Sequence, residues 1–128
     1  KPKGIVFFCG TNDLTALKTP EKVFGDFKVF FDAVKTFLPT TKVFVIGIKP
    51  SVARHYLRQK ELSFNKLISD LSEQEDNLLF IDVWEEMLSG DGEANPYLFA
   101  EDGLHMNEEG YKIWSKKIKP LLIKHFLP

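Results

Sequence analysis

Three short apolar runs constrain the fold of this chain more than any other feature: residues 4–9 (Gly-Ile-Val-Phe-Phe-Cys), 43–48 (Val-Phe-Val-Ile-Gly-Ile) and 78–83 (Leu-Leu-Phe-Ile-Asp-Val). Their length and their β-branched and aromatic content predict strands. They do not alternate apolar with polar residues. Both faces of each strand are therefore covered, as in a parallel sheet between helices. The intervening segments change period. Val23, Phe24, Phe27, Phe30, Phe31, Val34, Phe37 and Leu38 recur at helical spacing. Thr19 is placed to N-cap that helix, Pro20 to occupy its first position and Pro39 to end it, with Lys22 where a full capping box would have Glu.

A second helix is predicted over roughly Ala53 to Leu71, with Leu57, Leu62, Leu67, Ile68 and Leu71 inward. Residues 10–19 read as a polar loop. Ser89 to Glu101 is rich in Gly, Asp, Asn and Pro and reads as irregular. A last helix begins at Asn107, with Tyr111, Ile113, Trp114, Ile118, Leu121 and Leu122 as its apolar set; Pro120 is expected to kink or shorten it. Strand, helix, strand, helix, strand, loop, helix is an α/β alternation. In such sheets ligands bind beyond the carboxyl ends of the strands. Gly10–Asp13 and Lys49–Ser51 lie at two of these ends and Asp82 near the third. The loop carrying Asp102 and His105 must reach the same rim for a shared site to form.

At 128 residues the chain suits a single domain, and its formal net charge of -1 offers no electrostatic reason for nucleic acid or an anionic membrane as partner. No stretch is long and apolar enough to cross a bilayer. Twelve phenylalanines imply either a dense core or a lipophilic cleft, and composition does not separate the two. The lone Cys9 allows no internal disulfide and is compatible with a reducing compartment. At a strand end it reads as a small buried hydrophobe rather than a nucleophile. The chain begins Lys-Pro-Lys without Met, so the compartment stays open between cytoplasmic and exported.

Two segments carry chemistry. In Asp102-Gly103-Leu104-His105-Met106-Asn107-Glu108-Glu109-Gly110-Tyr111 a carboxylate precedes a histidine by three residues. An imidazole can take a proton from a hydroxyl and return it to a leaving group. A carboxylate on its other nitrogen sets tautomer and orientation. Taken alone, Asp-x-x-His also fits a turn cap beside a loop histidine. In Gly10-Thr11-Asn12-Asp13, the Asn12 amide can donate to a developing oxyanion, or it can bond its own backbone in a turn. Gly10 gives the backbone room for the turn, and Asp13 ties the loop down.

Together, in this order and about ninety residues apart, the two segments resemble the last two signature blocks of the SGNH (GDSL-like) hydrolases. The resemblance implies a flavodoxin-like three-layer α/β sandwich and a serine ester hydrolase, similar to small bacterial esterases, lysophospholipases and acetylhydrolases of platelet-activating factor. It implies His105 as base, Asp102 as orienter, Asn12 as oxyanion donor, a small ester as substrate and no cofactor. In that family the serine and an oxyanion glycine precede the Asn block. Here they would lie upstream of Lys1, because Ser51, Ser63, Ser69, Ser72, Ser89 and Ser115 all stand in other contexts. Residues 1–128 thus read as one N-terminally incomplete domain. Its first strand would lack a neighbour and expose an apolar edge, so oligomers become an option.

Several further residues have structural alternatives. Arg54 meets an anionic substrate group or ties to a nearby acceptor. Phe99, with Leu98, lines an acyl pocket or anchors the Asp102–His105 loop. His55 and His125 lack partners at useful spacing and read as surface residues. A metal site from Asp82, Asp102 and His105 is conceivable, but no ligand spacing typical of zinc is present. The rival function is a non-catalytic hydrolase-like module that binds an ester or carbohydrate without the serine.

Overall fold

The structure, a computed structural model, describes residues 2–8, 11–15 and 17–126. The chain divides into two compact units, Lys1–Ile48 with Gln59–Asp82, and Lys49–Arg58 with Val83–Pro128.

The first unit carries the sheet. Strands β1 (Gly4–Phe7), β2 (Lys42–Ile46) and β3 (Leu78–Ile81) lie in the order β1-β2-β3, and both pairings are parallel. Ile5 stands opposite Val43, and Val45 opposite both Phe7 and Phe80. The expected adjacency and direction are therefore present, and the architecture is mixed α/β. The strands are shorter than the apolar runs. Gly47 N still donates to Ile81 O at 2.8 Å. At Ile48 a side chain replaces the neighbouring strand. Asn65 accepts from Ile48 N at 2.8 Å and donates to Ile48 O at 2.9 Å, so a fully buried backbone unit stays satisfied. Cys9 lies outside the described residues.

Helix α2 (Pro20–Phe37) begins as the sequence predicts, with Thr19 Oγ1 accepting from Lys22 N at 3.1 Å. Val23, Phe27, Phe31 and Val34 form its buried stripe. The Phe7 ring stacks on Phe30 at 4.9 Å and tilts against Phe27 at 5.4 Å, joining β1 to α2. Helix α3 (Arg58–Gln74) buries Phe64, Ile68 and Leu71, while Leu62 and Leu67 are only half-buried.

Three expectations need correction. Residues 10–19 are not simply a loop: Thr11–Thr15 form a short helix, α1, anchored by the fully buried Leu14. The second long helix does not start near Ala53. Ser51 Oγ accepts from Arg54 N at 3.1 Å and Ala53 N donates to Gly103 O at 3.0 Å, which holds these residues in a turn. One 3-10 turn, His55–Leu57, then leads into α3. Pro120 does not end the last helix, α4, which runs unbroken from Glu108 to Phe126 with Pro120 exposed.

The second unit holds α4 and the segment expected to be irregular. That segment is mostly turns and bends, with two fixed points. Pro96–Leu98 forms a 3-10 turn capped by Asn95 Oδ1, and Leu88 bridges Ala94 antiparallel.

Candidate active site

Asp102 is bonded through both carboxylate oxygens. Its Oδ1 accepts from Leu104 N at 2.9 Å and from His105 N at 3.0 Å. Its Oδ2 lies 2.6 Å from His105 Nδ1. The His105 hydrogen bond, then the Leu104 and His105 backbone amides, lower its pKa from 3.8 to about 2 against a small desolvation effect. An ionised carboxylate only accepts, so Nδ1 is the donor and carries the proton. Nε2 is then the nitrogen left for proton exchange with a substrate or nucleophile. The pair sits in the open: the side chains of His105 and Asp102 are 76% and 49% exposed. Direct contact, not a low-dielectric pocket, sets the Asp102 charge.

The loop that presents His105 is built by its neighbours in the motif. Gly103 has φ +67°, a conformation natural to glycine, and a Cβ there would come within 3.2 Å of Val52 Cβ. Gly103 N donates to Ala100 O at 2.9 Å, and Ala100 N to His105 O at 2.8 Å. Phe99 and Met106 bridge antiparallel just outside this turn.

Asn107 closes the loop, a role the motif alone did not reveal. Its Oδ1 accepts from Gly110 N at 3.1 Å, capping α4. Its Nδ2 donates to Tyr97 O at 2.8 Å and to Phe99 O at 3.3 Å. One amide therefore fastens the start of α4 to the chain entering the His105 loop. Gly110 permits that approach, since a Cβ would lie 2.6 Å from Leu98 O. A polar residue at a helix start, ahead of a glycine, was the available signal.

Phe99 is 5% exposed, which supports its reading as the anchor of this loop. Arg54 is half-buried at the turn before the His55–Leu57 segment. His55 is not partnerless, as the sequence suggested: its Nδ1 lies 3.0 Å from Glu93 Oε2. Arg58 joins that contact, 3.6 Å from Glu93 and 3.0 Å from Gly92 O. The contact spans more than thirty residues, beyond any local spacing rule. His125 is half-buried rather than a surface residue.

Asn12 lies on α1 in the sheet-bearing unit; its side chain is exposed and its carbonyl accepts from Thr15 Oγ1 at 2.6 Å. Gly10 lies outside the described residues. Among the described residues, no three His, Cys, Asp or Glu side chains gather as a metal site needs, and no helix is long and apolar enough to cross a membrane.

Residues 1–113 match the family described as GDSL-like Lipase/Acylhydrolase. The chain is 31% identical over 123 residues to platelet-activating factor acetylhydrolase IB subunit alpha2 of Rattus norvegicus, covering 94% of this chain and 51% of that protein. It therefore spans about half the length of the curated relatives it matches. Its structure superposes on a carbohydrate esterase family 3 from Talaromyces cellulolyticus with a TM-score of 0.80, at 21% identity, over 96% of this chain and 58% of that one. It also superposes on the esterase domain of the ZfL2-1 ORF1 protein from a zebrafish retrotransposon with a TM-score of 0.70, at 30% identity, over 90% and 65%. The fold is thus the flavodoxin-like α/β fold of SGNH-type esterases.

Proposed function

The chain belongs to the GDSL-like lipase/acylhydrolase family, and on that premise we propose that it carries the base-bearing part of a serine ester hydrolase. His105 is the base, Asp102 its orienter and Asn12 an oxyanion donor. The nucleophilic serine comes from outside residues 1–128. The observation that carries this reading is the 2.6 Å contact of Asp102 Oδ2 with His105 Nδ1. A carboxylate held ionised on Nδ1 is what a catalytic base needs, because it leaves Nε2 free for the proton. The same geometry argues against a binding module freed from catalysis.

In the reaction, Nε2 takes the serine hydroxyl proton as the oxygen attacks the ester carbonyl. The carbonyl oxygen becomes an oxyanion, to which the Asn12 amide donates; one such donor is worth about 3–4 kcal/mol. His105 then protonates the departing alcohol. Water, activated by the same nitrogen, releases the acid. The substrate class is a small carboxylic ester, with the acetyl group of platelet-activating factor as the case suggested by the relatives' names.

The test is His105→Ala in the natural protein, assayed on p-nitrophenyl acetate. Nearly all turnover should vanish; full activity would assign the base elsewhere. Residues 1–128 alone should show no esterase activity and should associate through β1, which pairs only with β2 among the described residues and leaves Val6 49% and Phe8 43% exposed. A monomeric, active 1–128 would place the nucleophile within this chain.

A further inference from the structure

We propose that Ser51 is a positioning residue for His105, acting through the backbone of Gly103. The role rests on the reading of His105 as the base. Ser51 is 3% exposed, and its hydroxyl is engaged with its own chain. Oγ accepts from Arg54 N at 3.1 Å, a side-chain bond that closes Val52 and Ala53 into a fixed turn.

That turn supports the loop carrying His105. Ala53 N donates to Gly103 O at 3.0 Å. Among the described residues, this is the only backbone hydrogen bond that reaches residues 100–105 from a distant segment. The others close the loop on itself: Gly103 N donates to Ala100 O at 2.9 Å, and Ala100 N to His105 O at 2.8 Å. Packing backs the bond. A Cβ on Gly103 would lie 3.2 Å from Val52 Cβ and 3.4 Å from Ala53 N, so the bare glycine backbone is seated against the turn.

The base depends on that seat. The His105 side chain is 76% exposed. At that exposure its place is set by the backbone that carries it. Asp102 binds the ring at 2.6 Å and also accepts the Leu104 and His105 amides. The pair and its loop therefore shift as one body. Loosening the Ser51 turn displaces Nε2 while leaving the Asp102–His105 contact whole. A misplacement of about 1 Å at a reacting group can cost about 10² in rate.

The test uses the natural protein. Ser51→Ala should lower kcat on p-nitrophenyl acetate by about tenfold to a hundredfold, with KM within about twofold of wild type. Hydrogen exchange reads the turn without turnover: the Ala53 and Arg54 amides should exchange about tenfold faster or more in the variant. The His105 ring ¹⁵N resonances should keep the Nδ1–H tautomer, which separates this effect from Asp102→Asn. If the alanine variant does not fold, Ser51→Cys takes its place, being close in size with a weakly accepting sulfur. A folded variant with wild-type kcat would overturn the role and leave the hydrolase reading intact. A changed tautomer would also overturn it, by moving the effect to the Asp102 contact. Unchanged Ala53 exchange would overturn it whatever the kinetics. Faster Ala53 exchange in the variant of a protein that hydrolyses no ester would sustain the turn as the seat of His105 and sink the esterase reading.

Discussion

Asp102 holds His105 at two levels: its Oδ1 accepts the His105 backbone amide at 3.0 Å and its Oδ2 lies 2.6 Å from the ring Nδ1. The first bond shapes the turn that carries the histidine, and the second sets the tautomer. Asp102→Asn keeps an oxygen for the backbone bonds but can no longer offer a charged acceptor to Nδ1–H. In the natural protein the variant should fold normally, with a thermal midpoint within a few degrees of wild type. In buried serine-protease triads the same change lowers kcat by about 10⁴. Here the pair is exposed, so a loss of about 10² to 10³ is expected in p-nitrophenyl acetate turnover. Unchanged kcat would mean that the carboxylate has no role beyond the turn.

The Asp102 carboxyl has its pKa lowered from 3.8 to about 2, chiefly by the His105 hydrogen bond. A carboxyl depressed on folding contributes stability above its unfolded pKa, and this is lost as pH falls through the folded value. The contribution of Asp102 should therefore be complete above about pH 4 and disappear toward pH 2. A ¹³C carboxyl titration should give a midpoint near 2. A midpoint near 4 would show that the ring and the amides do not hold it.

Asn107→Ala removes a helix cap and two donor bonds in one step. Lost caps cost about 1 kcal/mol and net hydrogen bonds about 1 kcal/mol each. Denaturant unfolding should show a loss of about 2–3 kcal/mol. Asn107→Asp keeps the capping oxygen but presents a carboxylate to the Tyr97 and Phe99 carbonyls, so it should not rescue. A loss under about 0.5 kcal/mol in the alanine variant would contradict the strap.

Two glycine-to-alanine changes inside helices should have opposite signs. Alanine gains about 1 kcal/mol over glycine in a helix interior. At Gly25, in α2, no atom lies within 4 Å of the added Cβ, so Gly25→Ala should stabilise by about 0.5–1 kcal/mol. At Gly110 the Cβ meets Leu98 O at 2.6 Å and Met106 Cβ at 2.9 Å. The closest of these is backbone and cannot swing away. Gly110→Ala should therefore destabilise despite its propensity, and paired thermal melts decide both signs. A stabilised Gly110→Ala would mean that the Pro96–Leu98 turn moves freely against α4.

What the sequence determined by itself was everything encoded between near neighbours. Three unalternating apolar runs specified a parallel sheet, because a strand with no polar face must be covered on both sides. Thr19 and Pro20 marked the start of α2, because a cap acts on amides two or three residues ahead. Asp102 and His105, three residues apart, were legible as a pair for the same reason. Tertiary structure decided the rest. Whether residues 53–57 join α3 depended on Gly103 O, which takes the Ala53 amide from fifty residues away. Leu14 became the anchor of a helix only through complete burial. The ties of Asn65 to Ile48, of His55 to Glu93 and of Asn107 to Tyr97 join a side chain to whichever group the folded chain brings within reach. No local period records such a partner, because its identity exists only once the elements have packed.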